Sequence, residues 1–241
     1  LLKSLANINN NLRSLSITGR ILKPASVLIL GNIHNLRYLN LSVDSQASFE
    51  ILLAVLPLTI EILTVHIGDK SNISQLFLPA WSPQPPRCRL HELILIAYEI
   101  NYHHLEHTLN QRSHLHVLSL TISIRKTEFI DGQQFYQGLL CHLPKLVHLD
   151  FALSIRNVPE NSIDLETFVY TFQDQPVLAY YNSSCSILNV CSHSCVSLDN
   201  VSMAFFNRRS NLPDSVVLWR VRFLRFVTTE PLPLVVLHFV R

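Results

Sequence analysis

Glycine is scarce in this chain of 241 residues, with only 5, and methionine and tryptophan are scarcer still, at 1 and 2. So few glycines leave no G-x-G-x-x-G, no G-x-x-x-x-G-K and no G-x-S-x-G anywhere in the sequence. The loops that cradle nucleotide phosphates and the strained elbow of serine esterases are therefore unsupported. Charge is also thin, at 15% of residues, and nearly balanced, with a formal net charge of +2. That balance is too mild to imply nucleic-acid binding by electrostatics alone. No run of about 18 uncharged apolar residues occurs, so no membrane span is expected.

The five cysteines, Cys88, Cys141, Cys185, Cys191 and Cys195, are odd in number and irregular in spacing. Such a set suits reduced thiols in the cytoplasm or nucleus better than a disulfide framework. Sequons at Asn40, Asn72, Asn182 and Asn200 count little against that address, because such triplets arise by chance in a chain rich in Asn and Ser. The chain opens on Leu1, Leu2 and Leu5 with no Met and no signal-peptide features, and we expect a fragment.

What the chain has in abundance is apolar residues, 48% of the total, which excludes disorder and points to heavy burial. They recur in a pattern, L-x-x-L-x-L or a close apolar variant. It appears at Leu12-Leu15-Ile17, Leu36-Leu39-Leu41, Ile60-Leu63-Val65, Leu90-Leu93-Leu95, Leu115-Leu118-Leu120 and Leu146-Leu149-Phe151. Successive starts lie 24, 24, 30, 25 and 31 residues apart. Each triplet alternates with polar residues, as a half-buried strand does. Between triplets the period turns helical: Leu52, Leu53 and Leu56 share a face, as do Leu105 and Leu109, and Phe135, Leu139, Leu140 and Leu143. Helix then strand, repeated, predicts parallel strands in a stacked solenoid.

The long spacings hold inserts, one Pro-rich around Leu78–Pro86 with Trp81, the other Arg125–Gly132. Inserts of this kind gather on one rim, which is often used for binding. Residues 1–155 are expected to form the repeat array of about six units. Residues 156–241 are expected to be a degenerate continuation or a C-terminal cap. A helix is predicted from Ile163 to Gln173, capped at Asn161-Ser162. A degenerate unit is predicted at Val177 to Tyr181, with strand templates at Leu198-Val201-Met203 and Val221-Leu224-Phe226.

At its triplets and intervening helices the chain resembles the leucine-rich repeat family. Its longer units are most similar to the irregular repeats of F-box and ribonuclease-inhibitor-like proteins. Leu143-Pro144-Lys145-Leu146-Val147-His148-Leu149-Asp150-Phe151 resembles the helix-to-strand turn of that group. The asparagine that follows the triplet in regular repeats is replaced by Arg20, Asp44, Gly68, Tyr98, Ser123 and Ser154.

The resemblance implies an α/β leucine-rich-repeat solenoid, a horseshoe with parallel concave strands and outer helices. It also implies a non-enzymatic protein–protein interaction module with no cofactor. That module would be the substrate-recognition part of an F-box ubiquitin-ligase subunit, with an adaptor reached through a missing N-terminal segment. A scaffolding repeat protein unrelated to ubiquitin is the other binding alternative. Outward positions and rim nominate Tyr38, Asn40, Thr64, His66, Trp81, Glu92, Ser119, His148 and Asp150 as the binding set. Their mixed polarity suits a protein surface better than a polyanion.

Three constellations carry other chemistry. His103-His104-Leu105-Glu106-His107 matches H-x-x-E-H. On a helix His103 and His107 lie one turn apart and could ligate zinc, with Glu106 as general base and Glu160 or Glu166 as third ligand. That zinc-dependent hydrolase is the competing class, although Leu105 and Leu109 turn both histidines toward solvent. Cys185, Cys191, His193 and Cys195 offer zinc ligands at spacings unlike those of zinc knuckles, and structural thiols are the better reading. Arg208, Arg209, Arg220, Arg222 and Arg225 gather near the end of the chain, as a protected strand edge would.

Overall fold

The computed structural model describes residues 12–68, 89–124, 129–159, 162–173, 175–183 and 185–192, with the backbone alone for Arg20, 198–201, 209–210 and 224–226. The first six strands are β1 (Ser14–Leu22), β2 (Tyr38–Val43), β3 (Ile62–Ile67), β4 (Glu92–Ile100), β5 (Val117–Ile124) and β6 (His148–Arg156). They pair parallel in sequence order. The leading apolar residue of each triplet lies in the turn just ahead of its strand, and Leu36, Ile60, Leu90 and Leu115 are buried there.

The register lines up the inward residues in rows. Leu15, Leu39, Leu63, Leu93, Leu118 and Leu149 form one row, and Ile17, Leu41, Val65, Leu95, Leu120 and Phe151 form the next. No strand could hide such a face alone. Neighbours about 4.8 Å away cover it, and each fully buried leucine contributes about 1.5–3 kcal/mol relative to exposure. In β1 the register shifts between Ile17 and Ile21, around Gly19 at φ +70, a backbone shape that glycine adopts without strain.

Five α-helices occur among the described residues: α1 (Pro24–Val27), α2 (Gln46–Val55), α3 (Tyr102–Asn110), α4 (Gly132–Gly138) and α5 (Leu165–Tyr170). Short 3-10 turns follow α1 and α4, at Leu28–Asn32 and Leu140–His142. None of these helices is long and apolar enough to cross a membrane. All five send their buried side chains, among them Val27, Phe49, Leu52, Leu105, Phe135 and Phe168, into the same cluster as the leucine rows. Local sequence sets their starts. Ser45, Asn101 and Asp131 accept from backbone N–H groups in the first turn, and Asp131 with Gln134 forms a reciprocal capping box. The last helix starts at Asp164, whose carboxylate takes the Glu166 N–H, and not at Asn161-Ser162.

The expectation of a leucine-rich-repeat solenoid is overturned: the strands belong to one mixed sheet, and the departure is plainest after β6. Strands β7 (Val177–Asn182) and β8 (Ile187–Ser192) join the sheet antiparallel, in the order β6-β8-β7, and β10 (Arg209–Ser210) pairs antiparallel on β7. The result is a mixed nine-stranded sheet among the described residues. Its helices are few and short, four to ten residues each, and they form no outer layer of repeat helices. The physical reason is connection length. Residues 183–186 alone link β7 to β8, whereas a parallel neighbour needs a crossover of a dozen residues or more. The Val177–Tyr181 segment is therefore a strand of a hairpin and not a further parallel unit. Strands β9 (Leu198–Val201) and β11 (Leu224–Phe226) pair parallel with each other in a separate two-stranded sheet and do not extend the large one.

Core composition changes at the same place. Phe135 packs against Tyr102, Phe151 and Phe172, with ring centroids 6.3, 4.9 and 6.3 Å away, and Phe168 meets Phe172 at 5.5 Å. The start of α4 is pressed onto the end of α5 so closely that a Cβ on Gly132 would collide with the Phe172 backbone. The Gly132 N–H donates to Thr171 Oγ1 at 2.7 Å.

Candidate functional site

Because all the described helices cover the leucine face, the alternate positions of the same strands form a second, open face. Three rows of it are defined by register across β2 to β6. The first is Tyr38, Ile62, Glu92, Val117 and His148. The second is Asn40, Thr64, Ile94, Ser119 and Asp150. The third is Ser42, His66, Ile96, Thr121 and Ala152. Eight of the nine residues nominated from sequence therefore meet on one surface within three adjacent rows. The ninth, Trp81, lies outside the described residues.

The nomination missed the aliphatic members. Ile62, Ile94, Ile96 and Val117 are half-buried yet do not belong to the core cluster, so they line the centre of the open face. A signal for them was present. The run Leu93-Ile94-Leu95-Ile96-Ala97 is apolar at consecutive positions, the mark of a strand with apolar contacts on both sides.

Polar groups frame this stripe. His148 Nε2 lies 2.9 Å from Asp150 Oδ2, while Asp150 Oδ1 is buried with no hydrogen-bond partner. Leaving a charged acceptor in that state costs about 1–3 kcal/mol or more. Toward the strand C-termini, Arg156 spans three strands, donating from Nη1 to Glu99 Oε1 at 2.8 Å and from Nε to Ser123 Oγ at 3.0 Å. Glu99 holds φ +57 beside the register shift that separates Ala97 from Ile100, and the Arg156 contact braces that bulge. Ser154 Oγ donates to Asn189 Oδ1 at 2.7 Å, tying β6 to β8.

At the opposite strand ends, Arg37 faces Glu61 at 3.6 Å and the His91 and His116 rings meet with Nδ1 atoms 3.2 Å apart. One of those nitrogens must carry the proton and the other accept it. Lys145 Nζ sits 3.1 Å from His114 Nδ1.

The H-x-x-E-H segment does fall on a helix, α3, with His103 and His107 exposed. Its side chains make contacts with neighbouring protein groups. His103 Nδ1 is 3.3 Å from Glu106 Oε2, and the Glu106 carboxylate is pressed against Gly138, where an added Cβ would collide with it. His104 faces Glu50 of α2 at 4.0 Å. Burial pushes the Glu50 carboxyl above its ordinary range, opposed by the charges of His104 and His107. Burial, with the Glu106 charge adding to it, pushes the Tyr102 phenol up as well. Among the described residues no group of three or more His, Cys, Asp or Glu is placed to hold a metal ion. Glu166 does not complete a triad, and Glu160 lies outside the described residues.

Of the cysteine cluster, Cys185 is an exposed free thiol and Cys191 is buried with its Sγ against the Leu178 carbonyl, while His193 and Cys195 lie outside the described residues. The side chains of the five terminal arginines lie outside them too. The chain matches no protein-family model and no curated protein.

Proposed function

We propose that this chain binds another protein, without chemistry of its own, through the open face of its parallel strands. The observation that carries the reading is the aliphatic stripe Ile62, Ile94, Ile96 and Val117, which lies outside the core cluster on a face that no described helix covers. Apolar side chains framed by polar ones, with few charges at the centre, are the anatomy of a protein interface. Among the described residues, the exposed free thiols Cys141 and Cys185 support a reducing compartment, cytoplasm or nucleus. The finer reading, substrate recognition within an F-box ubiquitin ligase, is supported by the resemblance of Leu143–Phe151 to that group's helix-to-strand turns.

Quantitative proximity labelling with the full-length protein tests both levels. Proteins labelled by the wild type should fall about tenfold with Ile94→Asp, a loss of about 1.4 kcal/mol, and stay unchanged with His103→Asp on the helical side. Equal labelling by all three forms would end the open-face reading. Recovery of a cullin adaptor supports the ligase role, and its absence from repeated experiments removes it.

A further inference from the structure

We propose that the open face takes a short segment of the partner that bears Lys or Arg on either side of aliphatic anchors. This deepens the function proposed above and rests on it. Two features of the face argue for this occupant, its size and the sign of its charges.

Five strands at about 4.8 Å spacing and three rows along them, with about 3.3 Å per residue, enclose on the order of 400 Å². That is roughly half of what a standard interface takes from each side, so these three rows by themselves match a peptide-sized segment.

The fifteen positions of the three rows include no Lys or Arg, and their only carboxylates are Glu92 and Asp150. Glu92 has no ion-pair partner among the described residues. Asp150 gives Oδ2 to His148, and its side chain is about a quarter exposed, so a cation arriving from outside can share its charge. A cationic nitrogen is the donor such oxygens bind most strongly. An acidic segment, or a nucleic-acid backbone, would meet like charge at both ends of the stripe.

Glu92 and Asp150 are two strands and one row apart, which puts them roughly 12 Å from each other. An extended segment covers that distance in about four residues, with Val117, Ile94 and Ser119 beneath its middle. Basic residues about four apart, with aliphatic side chains between them, fit both the charges and the stripe.

The test is a selection from a random-peptide display library, about twelve residues per peptide so that each can cross the face, on the full-length chain. Enriched peptides should combine Lys or Arg with Ile, Leu or Val, and should be lost on Ile94→Asp. Their affinity should fall about tenfold on Glu92→Gln or Asp150→Asn and weaken as salt is raised. Circular dichroism and the thermal midpoint check that each variant is folded. If Asp150→Asn unfolds, Glu92→Gln carries the test, since that side chain is half-exposed and has no ion-pair partner among the described residues. Peptides lost on Ile94→Asp but without basic residues would overturn the partner class and leave the open-face reading standing. Peptides indifferent to Ile94→Asp would overturn both.

Discussion

Strands β1 to β6 and strands β7 and β8 share one sheet, yet they are joined and filled by different means. In the parallel part, the connections β1–β2, β2–β3, β4–β5 and β5–β6 each carry a described helix across the leucine face, and the strands' inward rows are mostly Leu, Ile and Val. At the antiparallel end, a four-residue link reverses the chain, and the core beside it is built of Phe135, Phe151, Phe168 and Phe172. The same inward row shows the change directly, running Leu95, Leu120, Phe151 across β4, β5 and β6. Strand direction follows connection length, and the larger rings fill the joint where the regular alternation of strand and crossover stops.

The sharpest way to break this comparison is at the joint. Phe135→Ala should cost about 3–5 kcal/mol, measured by urea denaturation, because the ring is buried among three other aromatic rings. Hydrogen exchange should then rise in β7 and β8 more than in β2 and β3. A uniform rise would mean that the two parts unfold as one and the contrast has no energetic meaning.

Leu118→Ala, in the middle of the parallel part, should cost about 2–5 kcal/mol, with the exchange centred on β4 to β6. Gly132→Ala should cost about 1–3 kcal/mol, because its Cβ meets backbone and not a flexible side-chain tip. A neutral result would show that α4 and α5 are not packed as described. Asp131→Ala removes the reciprocal cap of α4 and should cost about 1 kcal/mol.

The smallest effect concerns pH. Burial raises the Glu50 carboxyl in the folded state, so the fold holds that proton more tightly than the unfolded chain does. Stability contributed there is present at low pH and is lost as pH rises from below the ordinary glutamate value through the raised one. Glu50→Gln should flatten that decline, read as a smaller drop in thermal midpoint between acidic and neutral buffer. An unchanged slope would place Glu50 in water.

Much of the strand framework was legible because alternation is a local property. Leu39 and Leu41 point one way and Tyr38 and Asn40 the other whatever the rest of the chain does. The polar half of the open face was legible for the same reason. Ile94 and Ile96 were passed over because β4 is apolar on both sides, so alternation gives no hint of which side faces out. The helix over Leu165–Tyr170 was foreseen with the wrong cap, since Asn161, Ser162 and Asp164 all qualify by residue type.

Alone, the sequence determined which residues form strands β1 to β6 and which of their side chains turn to one side, because both follow from a two-residue period and the steric preferences of the backbone. Only the tertiary structure decided that the register stops repeating after Arg156, that β8 slips between β6 and β7, and that the large sheet ends in antiparallel strands. Those outcomes depend on pairing between residues far apart in the chain. Such pairing reflects connection length and the shape of the space left to fill, and no local pattern records either.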